Sequence, residues 1–144
     1  MLLNSALKII IFILVFFSEL SACKIWATML KNGNSFSSLE QVDQELMQYQ
    51  MSAYYDQSQY NANGWSIIQY EKQPNVIENN IYRSAYPAFQ DSANYWQIMN
   101  SVLNDSLHYI AVAHLRAATS GASSIQNPHP WIFENDSVYS FVHN

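Results

Sequence analysis

An α+β fold is what this sequence predicts, and three observations predict it. Its 144 residues are enough for one domain. Strand-like runs come in adjacent groups instead of alternating strictly with helices, which disfavours a doubly wound sheet. Two runs carry apolar residues at helical spacing, one early and one in the second half. The expected order is strand, helix, strand, strand, helix, strand, strand, strand.

Each element has a local reason. CKIWATML, residues 23–30, alternates Ile25 and Ala27 with Trp26 and Thr28 and reads as a strand. KNGNSFSS follows as a turn centred on Gly33. Ser37 and Glu40 match a capping box, and Leu39, Val42, Leu46 and Tyr49 recur at helical spacing, so a helix is expected over about residues 38–54. GWSIIQYEK is a strand whose Ile67 and Ile68 imply burial on both faces, and NVIENNIYRSA is a further strand or hairpin, broken at Pro87. Asp91 or Ser92 caps a second helix with Trp96, Met99, Val102 and Leu103 on its apolar side. HYIAVAHL is a strongly apolar strand running into the loop SGASSIQNPHP. WIFENDSVYSFVHN then gives two short strands around a turn at Asn135 and Asp136. Neither an internal repeat nor a low-complexity tract interrupts this order.

The first 22 residues read as a secretory leader. Lys8 precedes an unbroken apolar run, residues 9–17, and SELSA leads to Cys23. That run is too short to span a bilayer, so cleavage is favoured over an uncleaved N-terminal anchor. The expected domains are therefore residues 1–22 as signal peptide and residues 23–144 as the mature domain, exported to a periplasmic or extracellular space. The net charge of −5 survives cleavage, because Lys8 and Glu19 leave together. Lys and Arg are scattered, which argues against nucleic acid and against anionic membrane surfaces as partners. One cysteine cannot form an internal disulfide, so the core must hold the fold.

That cysteine stands where the leader would be cut. As the first residue of a mature chain it would carry both a nucleophile and a base. A free thiol titrates near 8.5 and an α-amine near 7.7–8.0, so the amine is a neutral base of suitable strength beside the thiol. Met29 lies downstream and residue 22 is Ala, so only a signal peptidase could expose it. LSAC also fits a bacterial lipobox. Lipidation would consume the same thiol and often the same amine. The leader alone leans that way, since Leu20 is large for an ordinary cleavage site. A buried structural cysteine is the third reading.

Downstream segments tip the balance. AHLRAATSG (113–121), NPHP (127–130) and FVHN (141–144) resemble the glutamine-binding segments of class II glutamine amidotransferases. That family has His-x-Arg-x-Ala-Thr-x-Gly at a strand end, then Asn-x-His-Pro, then a strand leading to His-Asn-Gly. NANGWSIIQY (61–70) is similar to its Gly-Trp-Gly segment, with Ser66 where glycine is usual. CKIWA resembles the Cys-Arg-hydrophobic start of the stand-alone branch, with Lys24 for arginine. Five segments in order cover, in pieces, almost the whole mature chain.

The resemblance implies an N-terminal-nucleophile hydrolase, a four-layer αββα sandwich of two sheets between helices. It implies hydrolysis of the side-chain amide of glutamine to glutamate and ammonia through a cysteinyl thioester, with no cofactor. Cys23 would be the nucleophile and its amine the base. Arg116 would fork onto the substrate α-carboxylate, and Asn144 would donate to the oxyanion. Thr119, Gly121 and His129 would shape the substrate pocket. The family's next glycine and a later aspartate do not follow within these 144 residues, so the sequence reads as the front part of a larger domain, inactive alone. Plainer readings stand beside these. Arg116 could pair with a surface carboxylate, and His129 between prolines could simply hold a loop. His108, His114 and His143 share no metal spacing, so no metal site is expected. Asn104 and Asn135 begin glycosylation sequons that matter only in a eukaryotic secretory route. Glutamine is the expected small-molecule partner. No stable membrane insertion is expected after cleavage, and no acceptor for the ammonia is identified. Another cysteine amidase of the same superfamily and a lipid-anchored surface protein are the alternatives.

Overall fold

The computed structural model describes residues 22–31, 34–71, 79–118, 121–134 and 138–143. Residues 1–21 of the leader, the turn residue Gly33, and Asn135 and Asp136 lie outside them. The architecture is α+β, with antiparallel sheets and two α-helices. In chain order the elements are β1 (Lys24–Met29), a 3-10 turn (Phe36–Ser38), α1 (Gln41–Gln57), β2 (Trp65–Glu71) and β3 (Asn79–Ser84). Then follow α2 (Ser92–Leu103), β4 (His108–Leu115), β5 (Trp131–Glu134) and β6 (Val138–Phe141). Strand and helix order match the sequence expectation. Among these elements no helix is long and apolar enough to cross a membrane.

Four strands form one sheet in the order β1-β4-β2-β3, and β5 and β6 form a separate hairpin. β4 is flanked on both sides, as its apolar composition requires. Its register pairs Lys24 with Leu115 on β1 and Trp65 with Leu115 on β2. Both helices pack on one face of this sheet, over Trp26, Trp65, Ile67, Ala111, Ala113 and Leu115. Ala111 and Ala113 are small, which leaves room for aromatic rings. Tyr95 meets Trp65 at 5.1 Å and Trp96 at 5.1 Å between centroids, and Tyr55 at 5.0 Å. Edge-on and tilted aromatic contacts of this kind add to simple burial. Ile67 and Ile68 are both buried, as expected of a strand covered on two faces.

Two local expectations need correction. α1 starts at Gln41, and its N-cap Glu40 makes no side-chain cap hydrogen bond, so the capping box does not form. The cause is Phe36, which is fully buried and draws residues 36–38 into a 3-10 turn. There the Ser37 N–H bonds to the Asp105 carbonyl at 2.8 Å. The buried side of α1 is also different. Met47, Met51 and Tyr54 face the core, while Val42, Leu46 and Tyr49 are 66%, 54% and 72% exposed. Both stripes have helical period, and tertiary hydrogen bonds choose between them. Tyr54 donates its hydroxyl to the Lys24 carbonyl at 3.0 Å, and Tyr95 donates to the Met51 carbonyl at 2.7 Å.

Asp91 is the N-cap of α2, but its carboxylate turns away from the helix backbone. It accepts from Trp65 Nε1 at 3.1 Å, the Tyr82 hydroxyl at 3.1 Å and Asn94 Nδ2 at 2.6 Å. Burial pushes this carboxyl up, but hydrogen bonds from Asn94, Ser84, Trp65 and Tyr82 outweigh that and hold it below the usual range.

Candidate functional site

Cys23 sits at the start of β1, beside the point where the chain leaves β4. The Ala117 N–H donates to Cys23 Sγ at 3.4 Å, and the thiol lies 3.6 Å from the Ala117 carbonyl. Residues 116–118 are themselves fixed from below. The Arg116 N–H bonds to the Gly64 carbonyl at 2.9 Å, and the Arg116 carbonyl accepts from the Asn63 N–H at 3.0 Å. Asn63 Oδ1 then accepts from the Ala118 N–H at 2.8 Å. The thiol therefore leans on a loop that is held by the NANG turn.

Gly64 makes that turn possible. Its φ is +116°, and a Cβ there would stand 2.7 Å from the Ser84 carbonyl oxygen and 2.9 Å from Pro128 Cγ. Only glycine combines this φ with so close an approach. Gly121 also has positive φ, +79°, and lies against the Arg116 guanidinium, with a built Cβ 3.7 Å from Nη2.

The NPHP segment lies across one row of the sheet. Ser66 and His114 are register partners, and Arg83 pairs with Ser66 on the other side. All three hold the same short stretch of backbone. The His129 N–H donates to His114 Nδ1 at 3.0 Å, the Ser66 hydroxyl donates to the His129 carbonyl, and Arg83 Nη2 donates to the Pro130 carbonyl. The His129–Pro130 peptide bond is cis. Ser66 thus has a defined task in this chain.

The hydrogen bonds assign two tautomers. His114 accepts at Nδ1, so its proton is on Nε2, and burial, with His129, His143 and Arg116 nearby, pushes its pKa down to about 3. His129 Nδ1 faces the His143 carbonyl at 3.2 Å and must donate to it, which leaves the lone pair on Nε2. Burial first, and then His143, also hold the His129 imidazole below its ordinary value. Both rings are neutral at pH 7. They pack ring on ring, His114 against His129 and His129 against His143, each at 4.4 Å between centroids. Among the described residues no group of three or more His, Cys, Asp or Glu is placed to hold a metal ion.

A cavity of about 220 Å³ opens between these parts, lined by Cys23, Arg116, Ala117, Ala118, Asn127, His129, Trp131 and His143. Drug-sized ligands fill pockets of about 300–1,000 Å³, so this cavity is small beside them. A thiol, a guanidinium and a neutral imidazole share its wall. Cys23, Arg116 and His129, singled out in the sequence, are brought together here, and Gly121 touches the same arginine. Thr119 and Asn144 lie outside the described residues. Sequence reasoning did not single out Asn61, Asn63, Trp131 or His143 as site residues. The signal for the asparagines was their spacing of two just ahead of the turn glycine. For Trp131 and His143 it was their place on either side of the terminal hairpin. No family model matches the chain, and neither a curated protein nor a solved structure matches it.

Proposed function

We propose that this protein is an exported amide hydrolase of the class II glutamine amidotransferase kind, with Cys23 as N-terminal nucleophile once residues 1–22 are removed. One observation carries the reading: Cys23 and Arg116, distant in sequence, line the same small cavity. In the reaction Cys23 Sγ attacks the side-chain amide carbon of glutamine while the α-amine takes the thiol proton. The amine then returns a proton to the departing nitrogen, ammonia leaves, and a γ-glutamyl thioester remains. Water, deprotonated by the same amine, cleaves the thioester to glutamate and frees the thiol. Arg116 binds the substrate α-carboxylate through its planar fork. Asn144 supplies an oxyanion donor, and Thr119, Gly121 and His129 shape the pocket.

The αββα sandwich belongs to the same proposal. Support comes from the face of the four-stranded sheet that the helices leave uncovered. Ile25 and Met29 on that face are 42% and 68% exposed, and Ala27 is exposed between them. Ile25, Ala27 and Met29 align with His114, Val112 and Ile110 across β4, which makes an apolar surface suited to a second sheet. The β5–β6 hairpin already meets this side, where the Tyr70 hydroxyl bonds to Ser140 Oγ.

The test uses the full gene product purified after natural export. Its intact mass should begin at Cys23 with no adduct, and glutamine should yield ammonia at a rate abolished by Cys23→Ala. Arg116→Lys should raise KM for glutamine at least tenfold while sparing amides that lack an α-carboxylate. A diacylglyceryl adduct on Cys23 overturns the reading in favour of a lipid-anchored protein. Equal loss on both amide types points to a different amidase substrate.

A further inference from the structure

Asn61 lies between α1 and β2, its own N–H bonded to the Gln57 carbonyl at 3.1 Å. Its side chain is almost wholly enclosed, with the residue 1% exposed. Nδ2 donates to the Ala22 carbonyl at 2.6 Å. That carbonyl belongs to the peptide bond joining Ala22 to Cys23, and its oxygen is two bonds from the Cys23 nitrogen. The segment carrying Asn61 is tied to the loop on which the thiol rests, through the Asn63 bonds to Arg116 and Ala118.

Removal of residue 22 deletes this partner and creates an amine at nearly the same place. A buried amide left without a partner costs about 1–3 kcal/mol, so Asn61 has a strong drive to find a new one. We propose that Asn61 is a positioning residue for the amidase reaction, its side-chain amide passing from the Ala22 carbonyl in the precursor to the α-amine of Cys23 in the mature chain. This rests on the reading of Cys23 as an N-terminal nucleophile. Rotation about the last side-chain torsion exchanges Nδ2 for Oδ1, and Oδ1 accepts an N–H from the neutral amine. The amine lone pair is then left for the thiol. An amide orients the amine without adding charge. A carboxylate at the same position would hold the amine as ammonium and remove the base.

The experiment reads the amine directly. Selective 13C-cysteine labelling of the exported protein reports Cys23, assigned by its loss in Cys23→Ala, with Cα following the amine and Cβ the thiol. In the near-isosteric Asn61→Asp variant the Cα titration should move up by one pH unit or more. The kcat for glutamine near pH 7 should fall about tenfold with KM within twofold. In the wild-type protein, which needs no variant to fold, the Asn61 side-chain amide resonances should shift with the same midpoint as Cys23 Cα. An unmoved titration in Asn61→Asp, or wild-type Asn61 resonances that stay flat through the amine's titration, overturns the proposal. A Cys23 Cα with no amine titration means a blocked nitrogen. In that case the nucleophile reading fails, and the role of Asn61 fails with it.

Discussion

The Ser66 hydroxyl donates to the carbonyl of His129, 63 residues further along the chain, at a fully buried position near the start of β2. Together with the bonds made by His114 and Arg83, it joins the central sheet to the wall of the cavity. Ser66→Ala removes the donor and leaves a buried carbonyl short of a partner, which costs about 1–3 kcal/mol. Urea denaturation should show that loss, and amide exchange at His129 should quicken. Unchanged stability and exchange would mean that the loop is held without Ser66.

The two positive-φ glycines should respond differently to alanine. At Gly64 the new Cβ meets the Ser84 backbone oxygen at 2.7 Å, and that oxygen belongs to β3 and cannot yield cheaply. Gly64→Ala should lower stability by about 3 kcal/mol or more, the sum of a strained φ and a backbone clash. At Gly121 the nearest atom is the end of a flexible arginine at 3.7 Å, so only the φ penalty of about 1–2 kcal/mol applies. Thermal unfolding of both variants measures the contrast.

Acid should destabilise the protein through His114. Its pKa falls from an ordinary value of 6.5 to about 3 in the folded chain. Because the folded value is depressed, the unfolded chain takes the proton first as pH falls below 6.5. The stability of the neutral, buried ring is fully present above that pH and is lost progressively toward pH 3, at up to about 1.4 kcal/mol per pH unit. His129 is shifted in the same direction and adds to the slope. Urea midpoints measured between about pH 7 and pH 4 should therefore fall, and His114→Gln should flatten the fall whatever its own stability. A midpoint that does not change across that range contradicts the assignment.

Mutations along α1 should separate its two stripes. Met51→Ala opens a cavity in the core and should cost about 2–5 kcal/mol. Val42→Gln and Tyr49→Gln change exposed positions and should stay within about 0.5 kcal/mol of wild type. Chemical denaturation of the three variants decides which stripe faces the sheet.

That last contrast marks how far the sequence could be read. Strand positions were legible because alternation and β-branched residues act locally: β4 occupies the run HYIAVAHL from end to end. The start and buried face of α1 were not. Ser37 and Glu40 have the spacing of a capping box, yet the burial of Phe36 and the Ser37 bond to Asp105 are contacts no local pattern reports. Tyr95 was overlooked beside Trp96 for a similar reason, since its burial depends on Trp65 and Met51. At the candidate site, Cys23, Arg116 and His129 were singled out from the sequence and line one cavity, while residues that serve through backbone geometry were missed. Asn61 and Asn63 act on carbonyl and amide groups of distant strands, and a sequence does not display which backbone atoms will come near.

The thiol meets its cavity late. Cys23 and Ala117 are 94 residues apart, and among the described residues β1 is an edge strand that pairs with β4 alone. During synthesis the cysteine therefore emerges early, well before the strand that receives it. Such long-range pairing is slow to form. In that interval the Ala22–Cys23 junction has neither its β4 partner nor the Asn61 bond, so under the proposed function leader removal would act on an unpaired segment. The choice between the proposed trimming and lipid attachment would then be set by timing, before the fold takes part.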